Sequence, residues 1–327
     1  MKVLVTGASG FFGSHVAEEL ARQGCDVRVL VRRTSRRDFL SGFPHEVAIG
    51  DVADGGSLPA ALAGVEAVVH AAGLIKARSA AEFDAVNARG TANLLAAIGQ
   101  AAPDLRRFVY VSSLAAHGPS EDGGPRPPEA EPRPLTAYGR SKLAGEEAVR
   151  ASPISGRAVI VRPSVIYGPR DPALLSFFQA VRWRVAPLLM GGHNRISIVY
   201  ATDAARAVAL ATTAEAAVAG RAYFLDDGSV YSWRDLLSAV EAAVGRRALR
   251  ISAPRWAFAA AAAASELFGL ALRRAVVFNR EKVLEMSQRY WVCSHEELKR
   301  DVGWQPEVGL EEGAGLTAEW YRANGWL

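Results

Sequence analysis

Residues Met1–His15 read M-K-V-L-V-T-G-A-S-G-F-F-G-S-H, and this stretch predicts the fold of the chain. The apolar run Val3–Val5 contains β-branched residues, which is typical of a strand buried on both faces of a parallel sheet. Three glycines then recur at three-residue intervals: Gly7, Gly10 and Gly13. A strand, a glycine turn and a helix N-terminus can hold a pyrophosphate, because free backbone N–H groups face the anion. A glycine-rich connection without a ligand is the alternative.

The composition is that of an ordinary globular protein. The chain has 327 residues, of which 50% are hydrophobic and 22% are charged, with a net charge of +4. This length allows one large or two modest domains. The basic residues are spread along the chain, so we expect no nucleic-acid partner.

Features of the chain that bear on its location point to the cytoplasm. The two cysteines, Cys25 and Cys293, lack metal-ligand spacing, which predicts no metal site, no disulfide scaffold and a reducing compartment. Met1 leads directly into a strand, so we expect no signal peptide. The apolar stretch Trp256–Leu272 is short, rich in alanine and contains Glu266, so we expect no membrane span.

Strand and helix patterns alternate along the first half of the chain. Further strands are predicted at Asp26–Val31, Glu46–Ile49, Ala67–His70 and Phe108–Val111. The alternation predicts an α/β fold with a Rossmann-type doubly wound parallel sheet. We assign residues 1–169 to this nucleotide-binding domain, whose sheet is completed by later strands near 196–200 and 222–225. Residues 170–327 are assigned mainly to a smaller substrate-binding region.

The end of the second strand bears on the choice of nucleotide. It ends at Val31 and is followed by Arg32 and Arg33, where an acidic residue would hold the ribose diol of NAD. Guanidinium groups suit a 2′-phosphate instead. This favours NADP(H) and leaves NAD(H) as the less favoured cofactor. A solvated arginine-rich loop without a ligand is the alternative.

Tyr138 and Lys142 lie four residues apart on a predicted helix and therefore share a face. The pKa of a free tyrosine is about 10. A lysine ammonium and a cationic nicotinamide nearby are expected to lower it. Tyr138 would then exchange a proton with a substrate oxygen during hydride transfer, and Ser113 would hydrogen-bond the same oxygen. A chance pair on a helix surface is the alternative.

Seven motifs occur in this order along nearly the whole chain: Thr6–Gly13, Asn87–Thr91, Val111–Ser113, Tyr138–Lys142, Arg162–Arg170, Val199–Asp203 and Gly303–Pro306. Together they resemble the extended short-chain dehydrogenase/reductase family, the NAD(P)-dependent epimerase/dehydratase group. Many members carry an acidic residue where this chain has Val31. Members that prefer NADP also lack this acidic residue. His117 stands where many members have tyrosine and is given no role.

The resemblance implies that Ser113, Tyr138 and Lys142 are the catalytic residues. It also implies a set of cofactor-binding residues on the glycine loop, the strand ends and the catalytic helix: Gly7, Ser9, Gly10, Phe11, Phe12, Gly13, Arg32, Arg33, Asp51, Val52, Ala71, Ala72, Gly73, Asn87, Val111, Tyr138, Lys142, Pro163, Ser164 and Val165. Asp51 and Val52 would contact adenine, Pro163–Val165 would lie beside the nicotinamide, and Asn87 would support the site by hydrogen bonding. A homodimer formed through the helices around Ala80–Gln100 and Thr136–Val149 is implied as well.

The segment Pro254–Phe278 is rich in alanine and large apolar residues. It resembles the apolar stretch of the branch that contains 3β-hydroxysteroid dehydrogenases and dihydroflavonol-reductase-like enzymes. We expect it to cap the nicotinamide and contact an apolar substrate through Trp256, Phe258, Leu267, Phe268, Leu270 and Phe278. Completion of a core is the alternative.

Three functions remain open from the sequence. The favoured one is an oxidoreductase that interconverts a secondary alcohol and a ketone on a bulky, largely apolar small molecule. The second is a nucleotide-sugar epimerase or dehydratase with bound NAD, which would need converging arginines such as Arg273, Arg274 and Arg280. Arg195 lies near, but one residue away from, a diphosphate-binding arginine of that group. The third is a non-catalytic NADP-sensing protein.

Overall fold

The computed structural model describes residues 1–214, 218–272, 274–276 and 278–327. The described strands are β1 (Lys2–Thr6), β2 (Asp26–Val31), β3 (Glu46–Ile49), β4 (Ala67–His70), β5 (Arg107–Val111), β6 (Ala158–Pro163), β7 (Val165–Tyr167), β8 (Val185–Leu189), β9 (Arg195–Ile196), β10 (Ile198–Tyr200), β11 (Ala222–Leu225), β12 (Tyr231–Ser232), β13 (Leu249–Ala253) and β14 (Tyr290–Trp291). The described α-helices are α1 (Phe11–Arg22), α2 (Pro59–Leu62), α3 (Ala80–Phe83), α4 (Arg89–Ala101), α5 (Leu114–His117), α6 (Ala137–Ala151), α7 (Pro172–Arg182), α8 (Ala201–Thr213), α9 (Trp233–Val244), α10 (Arg255–Ala271), α11 (Arg280–Met286), α12 (Glu296–Val302) and α13 (Leu310–Ala323).

A seven-stranded sheet forms the centre of the molecule, in the order β11-β6-β5-β4-β1-β2-β3. Every neighbouring pair in it is parallel. Alternate residues of β1 enter opposite cores: Val3 and Val5 pack on one face and Leu4 on the other, all fully buried. The doubly wound Rossmann-type sheet predicted from the sequence is therefore confirmed. The strand order reverses between β1 and β4, which is where such sheets bind ligands.

One of the two strands predicted to complete this sheet is elsewhere. The segment Ala222–Leu225 is indeed its outermost strand and pairs with β6. The prediction for residues 196–200 was wrong: β10 pairs with β7 in a two-stranded sheet, and β9 pairs with β12 and β14. Residues 198–200 pair instead with β7, the short strand that follows β6 after Ser164.

A third core lies among the later elements. It is built on α7, α9 and α13, with large buried side chains such as Phe178, Leu237 and Tyr321. The two-stranded ribbon of β8 and β13 adds Ala186 and Leu188 to this core. The Tyr321 hydroxyl donates to the backbone oxygen of Asp171 at 2.6 Å, which ties α13 to the start of α7.

Helix α10 differs from the other long helices because little of it is covered. Only Ala262 and Gly269 among its described side chains are buried. The alternative that this segment completes a core is therefore wrong, since Trp256, Leu267, Phe268 and Leu270 are all exposed. None of the helices in the described ranges is both long enough and apolar enough to cross a membrane.

Candidate active site

The predicted site residues meet at the carboxyl edge of the central sheet. Each group follows the end of a strand from β1 to β6: Gly7–Gly13, Arg32–Arg33, Asp51–Val52, Ala71–Gly73, Ser112–Ser113 and Pro163–Val165. Parallel strands all end at the same edge, so residues distant in sequence share one cleft.

The glycine loop is shaped by close backbone approaches. Gly7 has φ +73°, and a Cβ atom on it would lie 2.6 Å from the amide nitrogen of Ala72. A Cβ atom on Gly13 would lie 2.2 Å from the Gly7 carbonyl oxygen. No side chain fits at either position, which explains the glycine spacing of the sequence.

The start of α1 suits an anionic ligand. Gly10 is its N-cap and provides no side-chain cap, and the first turn contains no acidic residue. The N–H groups there are thus available to a pyrophosphate, and the positive end of the helix dipole favours one. The glycine loop and the strand ends together fit a dinucleotide.

The strand end that would face the adenosine ribose carries no acid. Val31 is buried, whereas Arg32 and Arg33 are exposed. Neither arginine forms a salt bridge within the described part of the chain, and the Arg32 amide donates to Ser35 Oγ at 3.1 Å. Two free guanidinium groups are therefore positioned beside the predicted ribose site.

Asn87 links the cofactor side of the site to the catalytic helix. It lies in a five-residue π-helical segment between α3 and α4. Its Oδ1 accepts from the Leu74 amide at 2.7 Å, and its Nδ2 donates to Ser141 Oγ at 2.9 Å. These bonds hold the loop after β4 against α6. Asn87 is buried and acts through its neighbours.

Burial raises the pKa of Tyr138 to about 12. The nearby Ser113 hydroxyl lowers this pKa, and the Glu285 carboxylate raises it further. Ser113 Oγ accepts from the Ala115 amide at 3.1 Å, which leaves its hydrogen free to donate. The Phe83 ring packs 5.9 Å from the Tyr138 ring between centroids.

Lys142 is buried beneath the site. Its Nζ donates to the Val111 carbonyl oxygen at 2.7 Å and lies 4.3 Å from the centre of the Tyr110 ring. Burial lowers the pKa of Lys142 to about 7, and the Glu146 carboxylate opposes this change. In the chain by itself, burial shifts the pKa of Tyr138 upward, opposite to the lowering expected from Lys142 together with a bound nicotinamide.

A buried ion pair that the sequence did not reveal supports the catalytic strand end. Glu146 accepts from Arg162 Nε at 2.8 Å and Nη2 at 2.7 Å, and from Ser112 Oγ at 2.6 Å. Arg162 also donates to the Pro128 carbonyl oxygen at 2.7 Å. The pair therefore joins α6, the ends of β5 and β6, and the loop before α6. The only available signal was a glutamate four residues after Lys142.

The N-terminus of the catalytic helix is capped from far along the chain. Both carboxylate oxygens of Glu281 accept from the Ala137 amide at 3.0 Å. Thr136 Oγ1 donates to Glu285 at 3.2 Å and accepts from the Gly139 amide at 3.1 Å. Helix α11 is thus held against the start of α6. No local pattern could have indicated these contacts.

The predicted nicotinamide-facing segment follows β6. Val165 is exposed, and the Ser164 amide donates to the Leu225 carbonyl oxygen at 2.9 Å. The Ser164 hydroxyl is buried against the Cys293 thiol and has no nitrogen or oxygen partner among the described residues.

A cleft of about 990 Å³ lies between helix α10 and the segment before α3. One wall is the segment 77–82, which immediately precedes Phe83, and the other is the far half of α10. The polar lining is partly neutralised, because Arg280 Nε pairs with Glu266 at 2.8 Å. Arg274 lines the same cleft, whereas Arg273 lies outside the described residues.

His117 and Arg195 take no part in this cleft. His117 is buried, its ring packs 5.1 Å from that of Phe224, and burial lowers its pKa to about 4. Arg195 lies on the short strand β9 with an exposed side chain.

The glycine loop at the switch point of the parallel sheet defines a fold of the dinucleotide-binding class. The family model described as the NAD dependent epimerase/dehydratase family matches residues 3–225. The chain belongs to this family, and it is an NAD(P)-dependent oxidoreductase of the short-chain dehydrogenase/reductase type.

Two relatives and one solved structure are similar over almost the entire chain. The ceramide reductase of Caulobacter vibrioides is 35% identical over 99% of this chain and 96% of its own. The 4-hydroxy-2-methyl-3-oxo-4-farnesyl-3,4-dihydroquinoline-1-oxide ketoreductase of Stigmatella aurantiaca is 30% identical over 96% and 94%. The UDP-glucose 4-epimerase of Thermus thermophilus, in complex with NAD, has a TM-score of 0.77 at 26% identity, covering 98% and 99%.

Proposed function

We propose that this protein uses NADPH to reduce a ketone on a long-chain, largely apolar molecule. The observation that carries the proposal is a cleft walled by the apolar helix α10 and by the segment that precedes Phe83, whose ring packs against Tyr138. Residues 170–327 would mainly form the part that holds the substrate.

The raised pKa of Tyr138 suits the reductive direction. With a pKa of about 12, the phenol keeps its proton at neutral pH and acts as an acid. When bound, the nicotinamide supplies the hydride that adds to the carbonyl carbon. Tyr138 donates its proton to the carbonyl oxygen, and Ser113 donates a hydrogen bond to the same oxygen. Lys142 has a pKa of about 7 and can then supply the proton that restores the Tyr138 phenol near neutral pH.

The names of the relatives support an apolar ketone. One is a ceramide reductase, and another is a ketoreductase of a farnesylated quinoline. Both names describe reduction of a molecule with a long hydrocarbon part. By analogy, we propose a ketone of the sphingolipid type as the first substrate class to examine.

A nucleotide-sugar epimerase or dehydratase is the second candidate, because the Thermus thermophilus epimerase resembles the whole chain. It requires guanidinium groups that are free to bind a diphosphate. Arg280 is engaged with Glu266, which speaks against it. The intact catalytic group speaks against a non-catalytic sensor.

A turnover screen tests these alternatives. N-acylated and free long-chain 3-keto amines would be compared with UDP- and dTDP-sugars under NADPH and NADH. We expect NADPH oxidation with the long-chain ketones and no conversion of the sugars. Activity on a nucleotide sugar alone would refute the proposal.

The preference for NADPH is attributed to Arg32 and Arg33. Titration of both cofactors should show tighter binding of NADPH, and Arg32→Ala should reduce that difference. The matched control is Arg36→Ala, since Arg36 Nε pairs with Asp38 at 2.8 Å. Equal affinity of the unmodified protein for both cofactors would refute the assignment.

We also propose a homodimer formed through α4 and α6 and a cytoplasmic location. The dimer is supported by the family resemblance, and the location by two free cysteine thiols. Light scattering at working concentration tests the dimer, and a monomer throughout would refute it.

A further inference from the structure

We propose that α10 docks this protein on the surface of a lipid bilayer that contains anionic lipids. Trp256, Leu267 and Leu270 are 73%, 68% and 76% exposed. Their spacing places them within one face of the helix. Large apolar side chains grouped in this way on a surface mark an interaction site rather than scattered exposure.

The chain leading into α10 presents a second apolar surface. In the ribbon of β8 and β13, Leu249 pairs with Val185 and Ile251 pairs with Pro187. These four side chains lie on the exposed face, opposite the buried Ala186. Only Pro254 separates this ribbon from α10. The apolar surface thus continues along the chain from the ribbon into the helix.

The charges around this surface match anionic lipids. Residues 245–280 contain a single acidic residue, Glu266, and seven arginines: Arg246, Arg247, Arg250, Arg255, Arg273, Arg274 and Arg280. Glu266 is neutralised by Arg280, and Arg250 pairs with Glu241 at 2.8 Å. Arg255 begins α10 and Arg274 follows its end, and neither forms a salt bridge within the described ranges. Basic side chains flanking an apolar helix face are typical of helices that lie in the membrane interface.

The geometry indicates a helix lying along the membrane surface. Helix α10 has 17 residues, which is about 25 Å at 1.5 Å per residue. Trp256 has an apolar ring with a polar N–H, which suits the interface between lipid and water. Leu267 and Leu270 also line the cleft between α10 and the segment 77–82, so this cleft would open at the membrane.

Flotation with lipid vesicles tests this proposal without cofactor or substrate, so its outcome is independent of the proposed reaction. The protein should float with vesicles of phosphatidylcholine mixed with phosphatidylglycerol, and salt should weaken this binding. Leu267→Ser with Leu270→Ser should reduce the affinity about tenfold or more, since two apolar side chains no longer enter the lipid. Arg255→Glu with Arg274→Glu should abolish the preference for anionic vesicles.

The matched control is Ile49→Ser with Leu316→Ser, which removes exposed apolar side chains elsewhere and should leave binding unchanged. Quenching of tryptophan fluorescence by brominated lipid adds a second readout, which Trp256→Phe should diminish. Failure to float, equal binding to neutral vesicles, or equal loss in the control would overturn the proposal. A self-associating form that the leucine variant dissociates, without vesicle binding, would assign α10 to a second copy instead.

Discussion

Replacing Glu146 by glutamine should cost more stability than any other isosteric change near the site. The side chains of Glu146 and Arg162 are 0% and 1% exposed, and two nitrogens of the guanidinium contact the carboxylate. The substitution leaves the Arg162 charge buried without a counter-charge. Removing one partner of a buried pair typically costs about 3–5 kcal/mol. We expect a loss of that size in the free energy of unfolding, measured by urea denaturation at neutral pH.

Two further variants make this prediction specific. Arg150 also contacts Glu146, at 3.0 Å, but its side chain is 47% exposed. Arg150→Met should therefore cost less than about 1 kcal/mol. Glu146→Gln combined with Arg162→Met removes both charges and should recover much of the loss. If Glu146→Gln alone cost less than about 1 kcal/mol, the ion pair would not hold this region together.

The same substitution should change catalysis through Lys142. Burial lowers the pKa of Lys142 to about 7, and the Glu146 carboxylate keeps this pKa from falling further. Glu146→Gln should shift the lysine-dependent limb of the kcat profile to lower pH. An unchanged pH profile would contradict an effect of Glu146 on catalysis through Lys142.

Three further predictions concern the acid, the glycine loop and a buried histidine. Tyr138→Phe should lower kcat by about 10²- to 10⁴-fold and leave cofactor affinity nearly intact; near-normal turnover would mean that another residue moves the proton. Gly13→Ala should abolish dinucleotide binding in calorimetry because of the 2.2 Å approach to Gly7. The control Gly99→Ala, with open space around it in α4, should stabilise the protein by about 0.5–1 kcal/mol. Full dinucleotide binding by the Gly13→Ala variant would contradict the steric argument. Burial lowers the pKa of His70 from 6.5 to about 3, so its contribution to stability is present above pH 6.5 and is lost as the pH falls. Between pH 6.5 and 5 this loss is about 2 kcal/mol, and His70→Gln should show a weaker dependence in urea denaturation; the same slope in both proteins would refute it.

The sequence determined the features that depend on neighbours along the chain. The run Val3–Val5 and the glycine spacing after it are local patterns, and the structure explains each glycine by a backbone contact. The four-residue spacing of Tyr138 and Lys142 likewise follows from helix geometry. Alternation of strands and helices was enough to predict the parallel doubly wound sheet, because short right-handed crossovers leave few other topologies.

Only the tertiary structure decided the features that depend on distant partners. Of the two segments predicted to complete the sheet, 222–225 pairs with β6, whereas 196–200 pairs with short strands outside the sheet. Glu146 meets Arg162, and Glu281 meets the start of α6, through contacts that no spacing encodes. The direction of the Tyr138 pKa likewise depended on how deeply the fold buries the phenol. Finally, the sequence pattern of an apolar helix is the same whether or not other elements pack on it. Only the tertiary structure showed that the apolar face of α10 is exposed.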